Sequence, residues 1–153
     1  MKLFLVFKYR GWLFHNERGQ AEMGTIVYCG LVCFFCSESK DCKGCRNGGC
    51  ESHSRCKNYN CCTEKRLDGC REFSEFPCTG CILDKFRIRS FAEFARWYGS
   101  DELEKCLFRN KESGIAYHFE VQLVGDYDNC ETEEEIIKMI KSGKWYDLFV
   151  IPM

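Results

Sequence analysis

Long apolar runs are missing from this 153-residue chain: cysteine aside, the longest is Leu3-Phe4-Leu5-Val6-Phe7. A membrane-spanning helix needs about 20 consecutive apolar residues, and the apolar core of a secretory signal needs roughly 7–15. Neither pattern is present, so the expectation is a cytoplasmic protein without a membrane partner. An excess of one charge is missing too. Lysine and arginine number 22 against 23 acidic residues, for a formal net charge of -1. Nothing in that balance asks for nucleic acid or an anionic surface. Histidine is scarce, with three residues, which leaves little for histidine-based metal or acid–base chemistry.

The most informative shortage is local. Between Ser37 and Glu75, 39 residues contain only three large apolar side chains, Tyr59, Leu67 and Phe73. Fixing a residue's backbone costs roughly 1–2 kcal/mol of conformational entropy. Burying a large apolar side chain returns about 1.5–3 kcal/mol. Three such residues cannot order this stretch. Either it is disordered or something other than apolar burial holds it.

What the stretch does have is cysteine. Of 14 cysteines, twelve lie between Cys29 and Cys81. In a reducing compartment disulfides are rare, and metal or redox roles are the default for such a density. Cys33/Cys36, Cys42/Cys45 and Cys78/Cys81 have the two-residue spacing that lets both sulfurs of one turn reach a tetrahedral ion about 2.3 Å away. Glycines beside them (Gly30, Gly44 and Gly80) suit the tight knuckles this requires. A structural zinc site supplies about 10–16 kcal/mol of apparent folding free energy. The candidate ligands are Cys29, Cys33, Cys36, Cys42, Cys45, Cys56, Cys61, Cys70, Cys78 and Cys81. Two four-cysteine zinc sites are the first expectation: one drawn mainly from Cys29, Cys33, Cys36 and Cys45, the other from Cys56, Cys61, Cys70 and Cys78. Twelve cysteines would also fill three sites. An iron–sulfur cluster is the alternative cofactor, because four thiolates bind either.

Tyr28-Cys29-Gly30-Leu31-x-Cys33-x-x-Cys36, then Cys42-Lys43-Gly44-Cys45, Cys56, Cys61 and Cys70 ahead of Glu75-Phe76-Pro77-Cys78, resembles a family of small, mostly bacterial proteins catalogued as domain of unknown function 3795. The resemblance spans roughly residues 24–81. It implies a cytosolic, zinc-binding domain without an established activity. Similar sequences carry a further cysteine between Cys70 and Cys78, where this chain has Phe73. Cys81, Cys62 or Cys50 are candidates to replace it.

Sharper motifs fail on inspection. Cys29-x3-Cys33-x2-Cys36 has the spacing of radical enzymes that use S-adenosylmethionine, but too little chain remains for their barrel-like domain. Pro77-Cys78-x-x-Cys81 and His118-x-Glu120 occur in the reverse of the zinc-deaminase order. Cys33-Phe34-Phe35-Cys36 and Cys78-Thr79-Gly80-Cys81 could serve as redox dithiols, yet such a pair normally stands nearly alone. Asp126 to Glu131 starts like a calcium loop but has Glu131 where glycine is required. From Ser37 to Glu75, eight basic residues face seven acidic ones, against the positive excess a phosphate-binding face needs.

The expected organisation is an N-terminal strand segment or extension over 1–28, a cysteine-rich metal-binding segment over 29–81, and an α+β remainder over 82–153 of the same domain. Residues 1–22 read as two strands (Leu3 to Lys8, Trp12 to His15) or as an extension ahead of Met23. Ser90-Phe91-Ala92-Glu93 predicts a capping box opening a helix that ends at Gly99. Ser100-Asp101-Glu102 predicts a second helix, and Thr132-Glu133-Glu134-Glu135 a third that ends at Gly143. Alternation from Tyr117 to Leu123 predicts a half-buried strand, and Asp147 to Ile151 a closing one. The fold class expected is therefore α+β: a small, loop-rich, metal-stabilised segment packed on two or three helices and a small antiparallel sheet. Saturated thiolate ligation without a spare base or carboxylate pair suggests a structural or interaction protein with an unidentified protein partner, rather than an enzyme; the alternative is an iron–sulfur or redox-active accessory protein.

Overall fold

The computed structural model describes residues 26–36 and 44–144. The strand pair expected over residues 3–15, the closing strand over 147–151, and Cys42 lie outside them. Within them the chain forms four α-helices: α1 (Lys57–Lys65), α2 (Phe86–Tyr98), α3 (Ser100–Glu112) and α4 (Glu133–Ser142). Short 3-10 turns link the rest, at Cys33–Phe35, Cys45–Asn47, His53–Arg55, Cys70–Glu72, Ile82–Asp84 and Asp126–Asn129.

The later helices follow from local chemistry. Thr132 caps α4 by accepting from the Glu135 amide at 3.2 Å, and the Glu135 carboxylate accepts from the Glu131 amide at 2.8 Å. The first is an N-cap bond, and the second ties the residue before the cap to the first turn, so the expected capping box is only half formed. Gly143 ends α4 in a left-handed conformation. Gly99 separates α2 from α3 at φ 93°, so the chain turns between them without a linker. The start of α2 differs from expectation. The helix opens at Phe86, a full turn before Ser90, and Ser90 is buried in mid-helix with its hydroxyl unpartnered. The core needs Ile88 in helical register, which overrides the capping signal.

The expected antiparallel sheet is not present among the described residues, where the only β pairing is one isolated bridge, Ile26 with Val32. The fold there is helical. The Tyr117–Leu123 alternation is real, but side chains claim the backbone groups that a ladder would use. Asp126 Oδ2 accepts from the Ala116 amide at 2.6 Å, and the buried Arg87 donates to the carbonyls of Tyr117 and Leu123. Val121 sits at φ 60°, incompatible with a strand. Tyr117 is buried because it stacks on Phe91 and packs against Phe35, while Val121 and Leu123 are exposed on the turn.

Two buried clusters result. The larger gathers Phe91 and Phe94 of α2, Leu103 and Leu107 of α3, Ile136, Met139 and Ile140 of α4, and Tyr117 and Tyr127 from the connecting loop. Buried Asn110 joins its elements: its amide donates to Tyr127 Oη at 2.8 Å and to the Met139 carbonyl at 3.1 Å, a carbonyl near the end of α4. The smaller cluster packs Ile88 and Ala92 of α2 and Leu83 against Val27, Cys29, Cys62 and Cys70. Helix α2 is thus the wall between an aliphatic core and a sulfur-rich one.

The turn from Ile26 to Val32 is seated on that wall. Val27 N–H donates to Leu31 O at 2.9 Å, and Gly30 lies at φ 103° with the position of an absent Cβ only 2.8 Å from Ala92 Cβ. Gly30→Ala combines a left-handed backbone penalty with an overlap against helix α2. It is expected to cost about 2–4 kcal/mol in chemical denaturation. A loss below about 0.5 kcal/mol would show that the turn is not seated on α2.

Candidate metal centre

Cysteines mark the joints of the sulfur-rich half. Cys33, Cys45 and Cys70 each open a 3-10 turn, Cys56 caps α1, and Cys81 precedes the Ile82–Asp84 turn. All thirteen described cysteines are free thiols. Cys106 of α3 and Cys130 ahead of α4 belong to the aliphatic core instead. Burial raises both, Cys130 to about 11. They are inert packing residues.

The remaining sulfurs fall into two adjoining groups. The first surrounds the Ile26–Val32 turn. Cys29 is buried, and desolvation pushes its thiol well up, opposed by a backbone hydrogen bond from Leu31 and reinforced by nearby Cys45, Cys70 and Cys56. Desolvation raises Cys45 as well, against a backbone hydrogen bond from Tyr28 and with repulsion from Cys56 and Cys50. The Cβ-free face of Gly44 lies against Cys33, with the absent Cβ position 3.7 Å from its sulfur. Cys50 is drawn aside toward the Ser52 hydroxyl at 3.4 Å. His53 donates its Nδ1–H to the Cys50 carbonyl and packs edge-on against Tyr59, so its ring is engaged in local structure.

The second group lies between α1 and the Cys78–Cys81 turn. Cys62 and Cys70 are 1% and 2% exposed, with sulfurs 3.6 Å apart. Either sulfur can donate in this contact, which pushes Cys62 up and lowers Cys70 to about 7, helped at Cys70 by a hydrogen bond from Asn58. Asn58 is buried, and its amide reaches Cys70 Sγ at 3.1 Å and Cys81 Sγ at 3.5 Å. Desolvation raises Cys78, and repulsion from Cys70, Cys81 and Cys61 adds to it. Gly80, at φ 68°, lets the Cys78–Cys81 turn close. Lys57 Nζ donates to its carbonyl at 3.2 Å, tying that turn to α1.

Electrostatic influence runs from Cys45, Cys70 and Cys56 to Cys29, and from Cys70, Cys81 and Cys61 to Cys78, so the two groups adjoin; the sulfurs in direct contact are those of Cys62 and Cys70. Among the described residues no three histidine, cysteine or acidic side chains converge into a ready cage. The fit to a thiophilic cation is therefore one of donor set and pairwise spacing. Two sulfurs each about 2.3 Å from a tetrahedral ion stand about 3.8 Å apart, close to the Cys62–Cys70 separation. Sequence reasoning missed α1 altogether. Its only early sign was the adjacent pair Cys61-Cys62, and Asn58 offered none.

The other motifs have structural roles. Asp128 pairs with Arg87 at 3.2 Å and accepts from the Gly125 amide at 2.6 Å, so the calcium-like stretch is a loop brace. Arg46 and Arg71 both engage Asp68, and Arg46 also donates to the Ile26 carbonyl at 2.8 Å, which removes two cations from any phosphate-binding face. His118 lines a groove of about 270 Å³ with Phe35, Lys111 and Tyr117, none of them part of the Cys78–Cys81 turn. No helix among the described residues is long and apolar enough to cross a membrane. No family model, curated protein or solved structure matches the chain.

His118 gives the pH dependence. Both ring nitrogens are buried without a partner, and desolvation, with Arg87 nearby, lowers its pKa to about 4 from the usual 6.5. The unfolded chain therefore binds the proton more readily, and stability is lost as pH falls from about 6.5 toward 4. His118→Gln should flatten that part of the melting-temperature profile relative to the unsubstituted protein. Parallel profiles would contradict the assignment.

Proposed function

We propose that this chain is a zinc-binding protein whose thiolate sites are structural, serving an interaction or accessory role in the cytoplasm rather than catalysis. The observation that carries this is the composition of the smaller core. There Cys29, Cys62 and Cys70 are buried with Val27, Leu83, Ile88 and Ala92, and Cys33, Cys45, Cys78 and Cys81 pack against them. Sulfur occupies positions that a domain of this size otherwise fills with Leu, Ile or Val.

Burial favours the protonated thiol, and each neighbouring thiolate disfavours the next. The cluster can hold several thiolates only if a cation compensates them. A closed set of four thiolates is also the ligand chemistry of structural zinc, whereas catalytic zinc keeps an open position. The motif resemblance of residues 24–81 to a zinc-binding family supports the same cofactor. An interaction role is the reading that goes with closed ligation, because a fully ligated ion leaves no coordination position for a substrate.

Elemental analysis of protein purified without oxygen tests this. Two zinc ions per chain are expected. Less than one metal per chain would contradict the proposal, and a brown protein with visible absorption would replace zinc by an iron–sulfur cluster.

A further inference from the structure

We infer that one ion is held by Cys62, Cys70, Cys78 and Cys81, with the buried amide of Asn58 hydrogen-bonded to two of the four sulfurs. This deepens the zinc-binding proposal and rests on it. It differs from the spacing-based expectation in using Cys62 of α1 and Cys81 in place of Cys56 and Cys61, and it adds a positioning residue that is not a ligand.

Helical register and burial carry the choice. Asn58 and Cys62 are one turn apart on α1, and both face inward, at 4% and 1% exposure. Cys61, the preceding residue, is partly buried like Cys78 and Cys81 and lies near Cys78, but the α1 sulfur in contact with Cys70 is that of Cys62. Cys62 Sγ lies 3.6 Å from Cys70 Sγ, about the edge of a thiolate tetrahedron, as worked out above. Asn58 then links this pair to the Cys78–Cys81 turn through its contacts to Cys70 and Cys81. Within that turn Cys81 Sγ also lies 3.5 Å from the Cys78 carbonyl, so the pair is folded back on itself.

The chemistry of Asn58 points to a charged partner. A thiol is a weak acceptor, so a buried amide gains little from facing two neutral thiols. Facing two thiolates, it makes charge-assisted bonds. Those thiolates in turn require a cation at this depth. Such outer hydrogen bonds orient ligands, and their removal weakens metal affinity about 10–100-fold.

The test uses full-length protein loaded with zinc, and in parallel with cobalt, carrying Cys62→Ser, Cys61→Ser or Asn58→Ala. Cys62→Ser should lose one metal equivalent, while Cys61→Ser keeps the full complement. Asn58→Ala removes no ligand, so it should keep the stoichiometry. It should yield one ion to a competing chelator about 10–100-fold more readily and shift the sulfur-to-cobalt charge-transfer band. Asn58→Asp, which sets a carboxylate against the thiolates, should be weaker still. The assignment is overturned if Cys61→Ser loses the ion and Cys62→Ser retains it. It is equally overturned if Asn58→Ala leaves both affinity and the cobalt spectrum unchanged. Absence of metal from the unsubstituted protein would instead sink the zinc proposal itself, and the assignment with it.

Discussion

A buried thiolate needs a positive charge beside it, and the proposed zinc-bound state of the sulfur-rich half rests on that constraint. Around Cys29, Cys62 and Cys70 the chain has replaced aliphatic side chains with sulfur. As neutral thiols these residues are small, weakly cohesive packing groups. As metal ligands they would become strong cross-links among cysteines that, in the described residues, are all free thiols. On the proposed reading, those bonds offset the scarcity of large apolar residues between Ser37 and Glu75. Local devices organise the segment in advance, among them the Leu31 and Tyr28 amides on Cys29 and Cys45 and the Asn58 amide on Cys70 and Cys81. They do not supply the energy of a core.

Helix α2 couples the two halves. One side contributes Phe91, Phe94 and Ala95 to the aliphatic core, and the other sets Ile88 and Ala92 against the cysteines. Gly30 brings the Cys29 turn into direct contact with Ala92. At the opposite edge, Arg87 of the same helix holds the loop around Tyr117 through two backbone carbonyls and Asp128. The aliphatic half has its own network, with Asn110 satisfying α4 carbonyls and Tyr127. It is expected to persist when the sulfur half opens.

How much of this was legible in the residues depended on whether the signal was local. Helices α3 and α4 were readable because Thr132, Gly99 and Gly143 act within one turn of their own positions. The opening of α2 was not, since Ser90 carries a capping pattern that burial of Ile88 and Phe91 overrides. The alternation from Tyr117 to Leu123 suggested a strand, but distant Arg87 and Asp126 take the backbone groups a sheet would need. Helix α1 has almost no apolar periodicity to detect, because its buried positions are Asn58 and Cys62. That cysteines gather in one region was evident from their density, and Cys29, Cys62 and Cys70 share one buried cluster. The place of Cys62 in it depended on which face of an unforeseen helix it occupies.

We propose that metal–sulfur bonds order the segment from Cys29 to Cys81. Hydrogen exchange on zinc-loaded and demetallated protein, kept reduced throughout, measures this directly. The account predicts that removing the metal deprotects amides in the Ile26–Val32 turn, α1 and the Cys78–Cys81 turn, while α3 and α4 retain most of their protection. Equal protection of the cysteine segment in both states would contradict it.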